Sequence, residues 1–330
     1  METTHNMRLT AFLIALLLVS GCAPQFYPGG KRLHTPAISE HLLTTSDQVD
    51  LPVRVWPAET GKPKAVIIAL HGFNDYSRAF EKPAIWWSKM GLTIYAYDQR
   101  GFGAAPHSGY WSSADTMAAD LGDAIKATHT LHPGIPLYIL GSSMGGAVIL
   151  TALGKQDTTS NEHVSGVILV GPAVWGGHAM NPILSFLLWL GAHTVPANHL
   201  TDEGLRIKPS DNLPMLRALG RDPLIIKSSR TDTIYGLTEL MGAALNSAPN
   251  LDRPTLVLGA ANDELVPSEA HQSLLRLLET EHNAVTYPNG WHMLLRDLQA
   301  KIVWRDILSW IRNRHAPLPS GDGREPKNSK

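Results

Sequence analysis

The stretch "YILGSSMGGAV" occupies residues 138–148. Within it, Gly141-Ser142-Ser143-Met144-Gly145 fits G-x-S-x-G, with Ser143 at the centre and Ser142 in a filler position. Such a serine acts as a nucleophile when it sits on a strained turn from a strand into a helix. The flanking positions pass close to each other there and must be small. Here "PLYIL" leads in as an apolar strand and "GGAVILTAL" leads out as a helix. Ser143 is therefore the expected nucleophile. Ser142 is expected to serve local packing or a turn hydrogen bond.

Working outward, strand-like and helix-like segments alternate. "LPVRVWP", "KAVIIALHG", "LTIYAYDQRG", "PLYILG", "VSGVILVGPA", "PTLVLGA" and "NAVTYPNG" read as strands, the second apolar enough to be buried on both faces. "SRAFEKPAIWWSKMG", "SSADTMAADLGDAIKATHTLHPG", "SEAHQSLLRLLET" and "LQAKIVWRDILSWIRNR" read as helices. This alternation predicts an α/β fold: a mostly parallel, doubly wound sheet with helices on both faces. One segment breaks the rhythm. Residues 175–245 hold no convincing strand and read as a helical insertion.

A serine nucleophile needs a base, and the base an orienting acid. In sheets of this kind they follow in the order Ser, Asp or Glu, His. "ANDELVP" places Asp263 in the loop after "PTLVLGA", at the strand's carboxyl end, where function collects. "NGWHMLL" places His292 on the loop before the last helix, and the other fourteen of the 15 histidines lack that order and context. The oxyanion formed on attack needs preorganised N–H donors. The backbone of Met144 supplies one expected donor. Phe73, in "HGFND" after the strand "VIIAL", supplies the other. His71 reads as a residue that fixes this loop, and Asp98 with Arg100 as a charge pair bracing the turn "YDQRGFG".

The amino end carries a different signal. Arg8 precedes an apolar run over residues 9–19, too short to span a bilayer comfortably but the right length for a signal-peptide core. The start lies at Met1 or Met7, since "MRLTAFLIALLLVSGC" is a complete signal by itself. Val19-Ser20-Gly21-Cys22 looks like a bacterial lipobox, and Cys22 is the single cysteine. Lipidation at Cys22 would anchor the chain to a membrane, each buried methylene adding roughly 0.8 kcal/mol. The expected location is the bacterial cell envelope. With Ala23 rather than Asp after the cysteine, it is the periplasmic face of the outer membrane if the source is Gram-negative. The net charge is −1, which gives no electrostatic case for nucleic acid as a partner. No metal-ligand cluster is visible, and serine hydrolysis needs no cofactor.

Within the insertion, "AMNPILSFLLWLGAH" opens with Asn181 as cap and Pro182 at the first helical position. Its helix is apolar nearly all round. Two readings stand: a helix buried under the rest of the insertion, or one that lines an acyl tunnel or dips into a membrane surface. Ile183, Phe186, Tyr235 and Met241 are the candidate acyl-pocket residues.

The set "HGFND", "DQRGFG", "GSSMGG", "ANDELVP" and "NGWH" resembles the α/β-hydrolase superfamily. Within it, the set looks like the monoacylglycerol lipase and lysophospholipase branch, grouped with serine aminopeptidase-like hydrolases, over roughly residues 53–314. The resemblance implies a lid domain inserted after the sixth strand, which fits the break in the pattern. It also implies hydrolysis of a monoacylglycerol or lysophospholipid ester through an acyl-enzyme. The chain departs from the common HGxGEHS loop at Asn74-Asp75-Tyr76-Ser77, keeping the serine but not the glycine or glutamate. The expected organisation is a signal peptide (1–21), a tether (22–41), a core (42–174 and 246–315), a lid (175–245) and a disordered tail (316–330). Two competing functions are a proline-type serine aminopeptidase and a non-catalytic envelope lipoprotein on a hydrolase scaffold.

Overall fold

A computed structural model describes residues 23–155, 161–177, 180–201 and 207–321. The expected signal peptide (1–21) and Cys22 lie outside the described residues, as do residues 322–330 of the expected tail. The strands in chain order are β1 (Ala37–Ile38), β2 (Leu42–Thr44), β3 (Asp50–Trp56), β4 (Ala65–Leu70), β5 (Leu92–Tyr97), β6 (Leu137–Ser142), β7 (Val164–Val170), β8 (His199–Thr201), β9 (Ser228–Arg230), β10 (Thr255–Ala260) and β11 (His282–Tyr287). Nine of them form one sheet in the order β1-β2-β3-β5-β4-β6-β7-β10-β11. The pairs from β5 through β11 are parallel, and the first three strands join antiparallel.

Every residue of β4, β5 and β10 is buried. Helices cover both faces, which is why these strands read as continuous apolar runs. Two apolar clusters flank the sheet. One lies under the helices Ala114–Leu131 and Met144–Leu153, the other under Glu81–Lys89 and Ala300–Arg312. All ten residues of Met144–Leu153 are buried. That helix is enclosed between the sheet and its neighbours, so it needs no polar face. The connected strands β6, β7, β10 and β11 all point the same way. The loops carrying Ser143, Asp263 and His292 therefore leave one edge of the sheet.

Three boundaries differ from the sequence reading. The expected tether is fixed to the fold. Phe26 bridges to Trp111, and the Tyr27 N–H donates to the Trp111 carbonyl at 2.8 Å. Tyr27 stacks on His107 at 3.9 Å, and Arg32 pairs with Asp120 at 2.7 Å and Asp123 at 2.6 Å. No sequence period reports such long-range partners. The tail also begins inside the fold: Leu318 is 6% exposed and packs with the second cluster, and the Ser320 N–H donates to Asp306 at 2.9 Å. The insertion, read as purely helical, contains the antiparallel pair β8–β9. These strands have three residues each and no apolar alternation, so nothing in their sequence announces them. The insertion's last helix, Thr231–Ser247, buries Leu240 and Ala244 in the first core cluster, so the lid grades into the core inside that helix.

The turn "YDQRGFG" is braced by charge, but not within itself. The Arg100 guanidinium pairs with Asp120 at 2.7 Å and Asp47 at 2.6 Å. Asp98 instead accepts the N–H groups of Ser77 and Ala104, both at 2.9 Å.

Candidate active site

Ser143 links β6 to the helix Met144–Leu153 with φ +51° and ψ −116°. That conformation is costly for a residue with a side chain and persists only when its surroundings impose it. They do. The Ser143 N–H donates to the Val170 carbonyl at 2.9 Å, and its carbonyl accepts from Gly146 at 2.9 Å and Ala173 at 3.0 Å. The flanking glycines are sterically required. A Cβ on Gly141 would lie 2.5 Å from the Gly145 carbonyl, and one on Gly145 would lie 2.2 Å from the Leu70 carbonyl oxygen.

Asp263 and His292 come together. His292 Nδ1 lies 2.8 Å from Asp263 Oδ2, and both side chains are buried. The other carboxylate oxygen, Oδ1, accepts the N–H groups of Leu265 and Val266, each at 2.9 Å. Burial alone would push the Asp263 carboxyl up. The hydrogen bond and charge of His292, with those two N–H groups, outweigh it and hold the carboxyl below the ordinary carboxylate value. Asp263 is thus a fixed anion with a bond left for His292.

Ser143 is linked to this pair through the backbone of β7. Its N–H partner, Val170, precedes Gly171, whose Cα faces the His292 ring: an added Cβ would sit 3.6 Å from Nδ1 and 3.7 Å from Cε1. Gly72 faces the serine, an added Cβ lying 3.3 Å from Ser143 Cβ and 3.9 Å from Oγ. Among the described residues, neither the Phe73 N–H nor the Met144 N–H is bonded to a protein acceptor. Met144 follows Ser143 directly, and Phe73 follows Gly72, the residue that faces Ser143.

His71 fixes this loop. Nδ1–H donates to the Gly72 carbonyl at 2.8 Å, Nε2 accepts the Gln99 N–H at 2.9 Å, and the Gln99 amide returns to the His71 carbonyl at 2.9 Å. Complete burial pushes the imidazole pKa down, so the ring stays neutral and holds one tautomer. Asn74 takes φ +63°, which asparagine tolerates better than other residues with a side chain. Its amide donates to Ser229 in β9 at 2.8 Å, tying the loop to the lid.

The expected acyl-pocket residues divide. Met241 is buried, with its Cβ close to where a Cβ on Gly176 would stand. Tyr235 is half-buried with His193 against its ring edge at 5.6 Å. Ile183 and Phe186 are 70% and 57% exposed, so no pocket encloses them here. Asn181 caps their helix as expected, donated to by the N–H groups of Ile183 and Leu184. Of the helix Pro182–Thr194, only Ala192 is buried. The reading of this helix as buried under the rest of the insertion is therefore corrected: among the described residues its apolar side chains stand largely exposed.

The loops of the site are joined by clamps that sequence patterning does not announce. Arg296 pairs with Asp75, joining the histidine loop to the Phe73 loop. Asp297 accepts the Ser210 hydroxyl at 2.5 Å and the Trp291 N–H at 2.8 Å. Tyr76 donates to Asp222 of the lid at 2.7 Å. The sole signal in the sequence is a charged pair, Arg296-Asp297, four and five residues after His292. Among the described residues, no group of three or more His, Cys, Asp or Glu is placed to hold a metal ion. No helix among them is long and apolar enough to cross a membrane.

The family model described as Serine aminopeptidase, S33 (Hydrolase_4) matches residues 61–299. A monoacylglycerol lipase of Mycolicibacterium smegmatis is 26% identical over 83% of this chain and 96% of its own length. The monoglyceride lipase of Homo sapiens is 26% identical over 84% of this chain and 91% of its own. Among solved structures, a soluble variant of monoglyceride lipase from Saccharomyces cerevisiae, bound to a substrate analog, superposes with a TM-score of 0.70. It is 20% identical and covers 88% of this chain and 99% of that one. The shared fold is the α/β-hydrolase fold.

Proposed function

Because the chain belongs to the serine aminopeptidase S33 (Hydrolase_4) family, we propose that it is a serine ester hydrolase acting on monoacylglycerol- or lysophospholipid-like acyl esters. The observation that carries this is the His292–Asp263 bond at 2.8 Å, on the edge where Ser143 is held in a strained turn. In this reading Ser143 Oγ attacks the ester carbonyl and His292 Nε2 takes its proton. Asp263 holds Nδ1–H and stabilises the imidazolium. The N–H groups of Phe73 and Met144 receive the negative charge on the carbonyl oxygen. His292 returns the proton to the leaving alcohol, and water activated by His292 then releases the acid. The names of the two lipase relatives support an acylglycerol substrate. So does the apolar lid, which offers an acyl chain a surface and a charged peptide little.

The test is hydrolysis of a panel of monoacylglycerols and lysophospholipids by wild type and Ser143→Ala, with labelling by a fluorophosphonate. Wild type is expected to label and hydrolyse, and the alanine variant to do neither. Full hydrolysis by Ser143→Ala would end this reading. The family's description favours one alternative, an aminopeptidase. Faster cleavage of prolyl amides than of acyl esters would establish it instead.

The proposal extends to location. The Gln25 N–H donates to Asp232 at 3.0 Å, and the Asp232 N–H to the Pro196 carbonyl, just past the apolar helix Pro182–Thr194. Cys22 precedes Gln25 by three residues, at most about 10 Å of extended chain. A lipid on Cys22 would therefore hold the lid against the bilayer that contains the substrate. Palmitate incorporation by wild type but not by Cys22→Ser is the expected result. Equal incorporation would remove the anchor from the proposal.

A further inference from the structure

We propose that Asp297 is a positioning residue for His292, acting through the backbone of Trp291 and held from the far side by Ser210 of the lid. This rests on the reading of His292 as the general base. The loop that carries His292 has no strand or helix to fix it. What fixes it is a closed ring of chain. The Arg296 and Asp297 N–H groups turn back onto the Met293 carbonyl at 2.7 and 3.0 Å. The Asp297 carboxylate then reaches back to accept the Trp291 N–H at 2.8 Å. Residues 291–297 are closed by that bond, and His292 is the first residue inside it. A hydrogen bond to a carboxylate is stronger than one between neutral groups, so it can hold the peptide that leads into His292.

The second carboxylate oxygen binds the lid. Ser210, fully buried, donates its hydroxyl at 2.5 Å. Around this bond residues 208–212 lie across the loops of both proposed partners of Ser143. The Lys208 N–H donates to Glu264, beside Asp263, at 2.6 Å. The Met293 N–H donates to the Pro209 carbonyl at 3.0 Å. The Asn212 amide donates to the Arg296 carbonyl at 2.8 Å, and the Leu298 N–H to Asp211 at 2.9 Å. The Lys208 ammonium sits 4.1 Å over the Trp291 ring. The lid segment is therefore a staple across the acid and histidine loops, and Asp297 is its central buried contact, 4% exposed. Burial pushes the Asp297 carboxyl above its ordinary value, and the hydrogen bonds from Ser210 and Trp291 oppose that shift.

The experiment compares wild type, Asp297→Asn, Ser210→Ala, Ser210→Thr and Ser143→Ala on a soluble short-chain ester, with fluorophosphonate inactivation rates and thermal melts. In Asp297→Asn the amide keeps the shape, but its NH₂ must face one of the two donors. A misplaced base costs up to about a hundredfold in rate, so kcat and the inactivation rate are expected to fall together by about 10- to 100-fold. KM should stay within about twofold. The far-downfield proton resonance of His292 Nδ1–H is expected to shift or broaden. Folded Asp297→Asn with wild-type kcat and an unchanged resonance overturns the proposal, as does a loss confined to KM. If that variant does not fold, the Ser210 pair decides. A lowered kcat in Ser210→Ala, restored in Ser210→Thr, supports the staple, and wild-type kcat in both overturns it. Ser143→Ala separates the two levels. If it hydrolyses the ester normally, the functional reading itself fails. If it is silent while Asp297→Asn is normal, only the positioning role fails.

Discussion

Gly145→Ala tests the geometry on which the site stands. An added Cβ would lie 2.2 Å from the Leu70 carbonyl oxygen, 2.7 Å from its carbon and 2.8 Å from its Cβ, where ordinary contact begins at 3.4 Å. The obstacle is the backbone end of β4, so no side chain can swing away and the helix or the strand must shift by about 1.2 Å. Overpacking of a dense core costs about 1–3 kcal/mol, and a backbone obstacle puts this site near the top of that range. Alanine in place of helical glycine returns about 0.5–1 kcal/mol. The net loss is about 2 kcal/mol, or roughly 3 °C in Tm for a chain of this size. Leu70 leads directly into His71, Gly72 and Phe73, so the same displacement misplaces an oxyanion donor and costs up to about a hundredfold in kcat. Gly220→Ala is the control: its Cβ meets nothing within 4 Å, and it lies near the end of a lid helix. Thermal melts and ester kinetics on both variants give the answer. Refutation would be Gly145→Ala matching Gly220→Ala in both Tm and kcat, since the close approach would then not constrain the turn.

Arg100→Ala leaves the buried Asp47 and Asp120 short of a partner. Removing one member of such a network costs about 3–5 kcal/mol, to be read as a lower urea midpoint; a wild-type midpoint would show that the network carries little. Asp263→Asn tests the fixed anion. A carboxyl held below its ordinary value adds stability that is present above about pH 4 and is lost as pH falls through the folded value. Wild type should therefore lose Tm relative to Asp263→Asn on acidification from pH 4 downward, and a constant difference would contradict it. The combined change Leu184→Ser, Leu187→Ser and Leu190→Ser polarises exposed positions on the lid helix. The rate on vesicle-borne monoacylglycerol should fall several-fold relative to the rate on a soluble ester, and an unchanged ratio would mean that this face does not meet the lipid surface.

The sequence by itself determined seven strands of the sheet and the turn at Ser143, but not the short edge strands β1 and β2. Apolar runs bounded by glycine and proline specify buried strands, and Gly141 and Gly145 allow a crossing that any Cβ would block. These are local signals, spoken by residues adjacent in the chain. The order of Asp263 and His292 after Ser143 was legible too, because each follows a strand of the same sheet. The tertiary structure alone decided what lies between the elements. Arg32 and Arg100 share Asp120 across 88 and 20 residues, and the Gln25 N–H finds Asp232 across 207. Ser210 finds Asp297 across 87. No periodicity records such pairs, because a buried charge or hydroxyl specifies only that it must have a partner and leaves the partner's place in the chain to the packing. The lid helix shows the same limit from the other side. Its residues are apolar enough to be core, and only the fold shows that, among the described residues, most of them stand exposed.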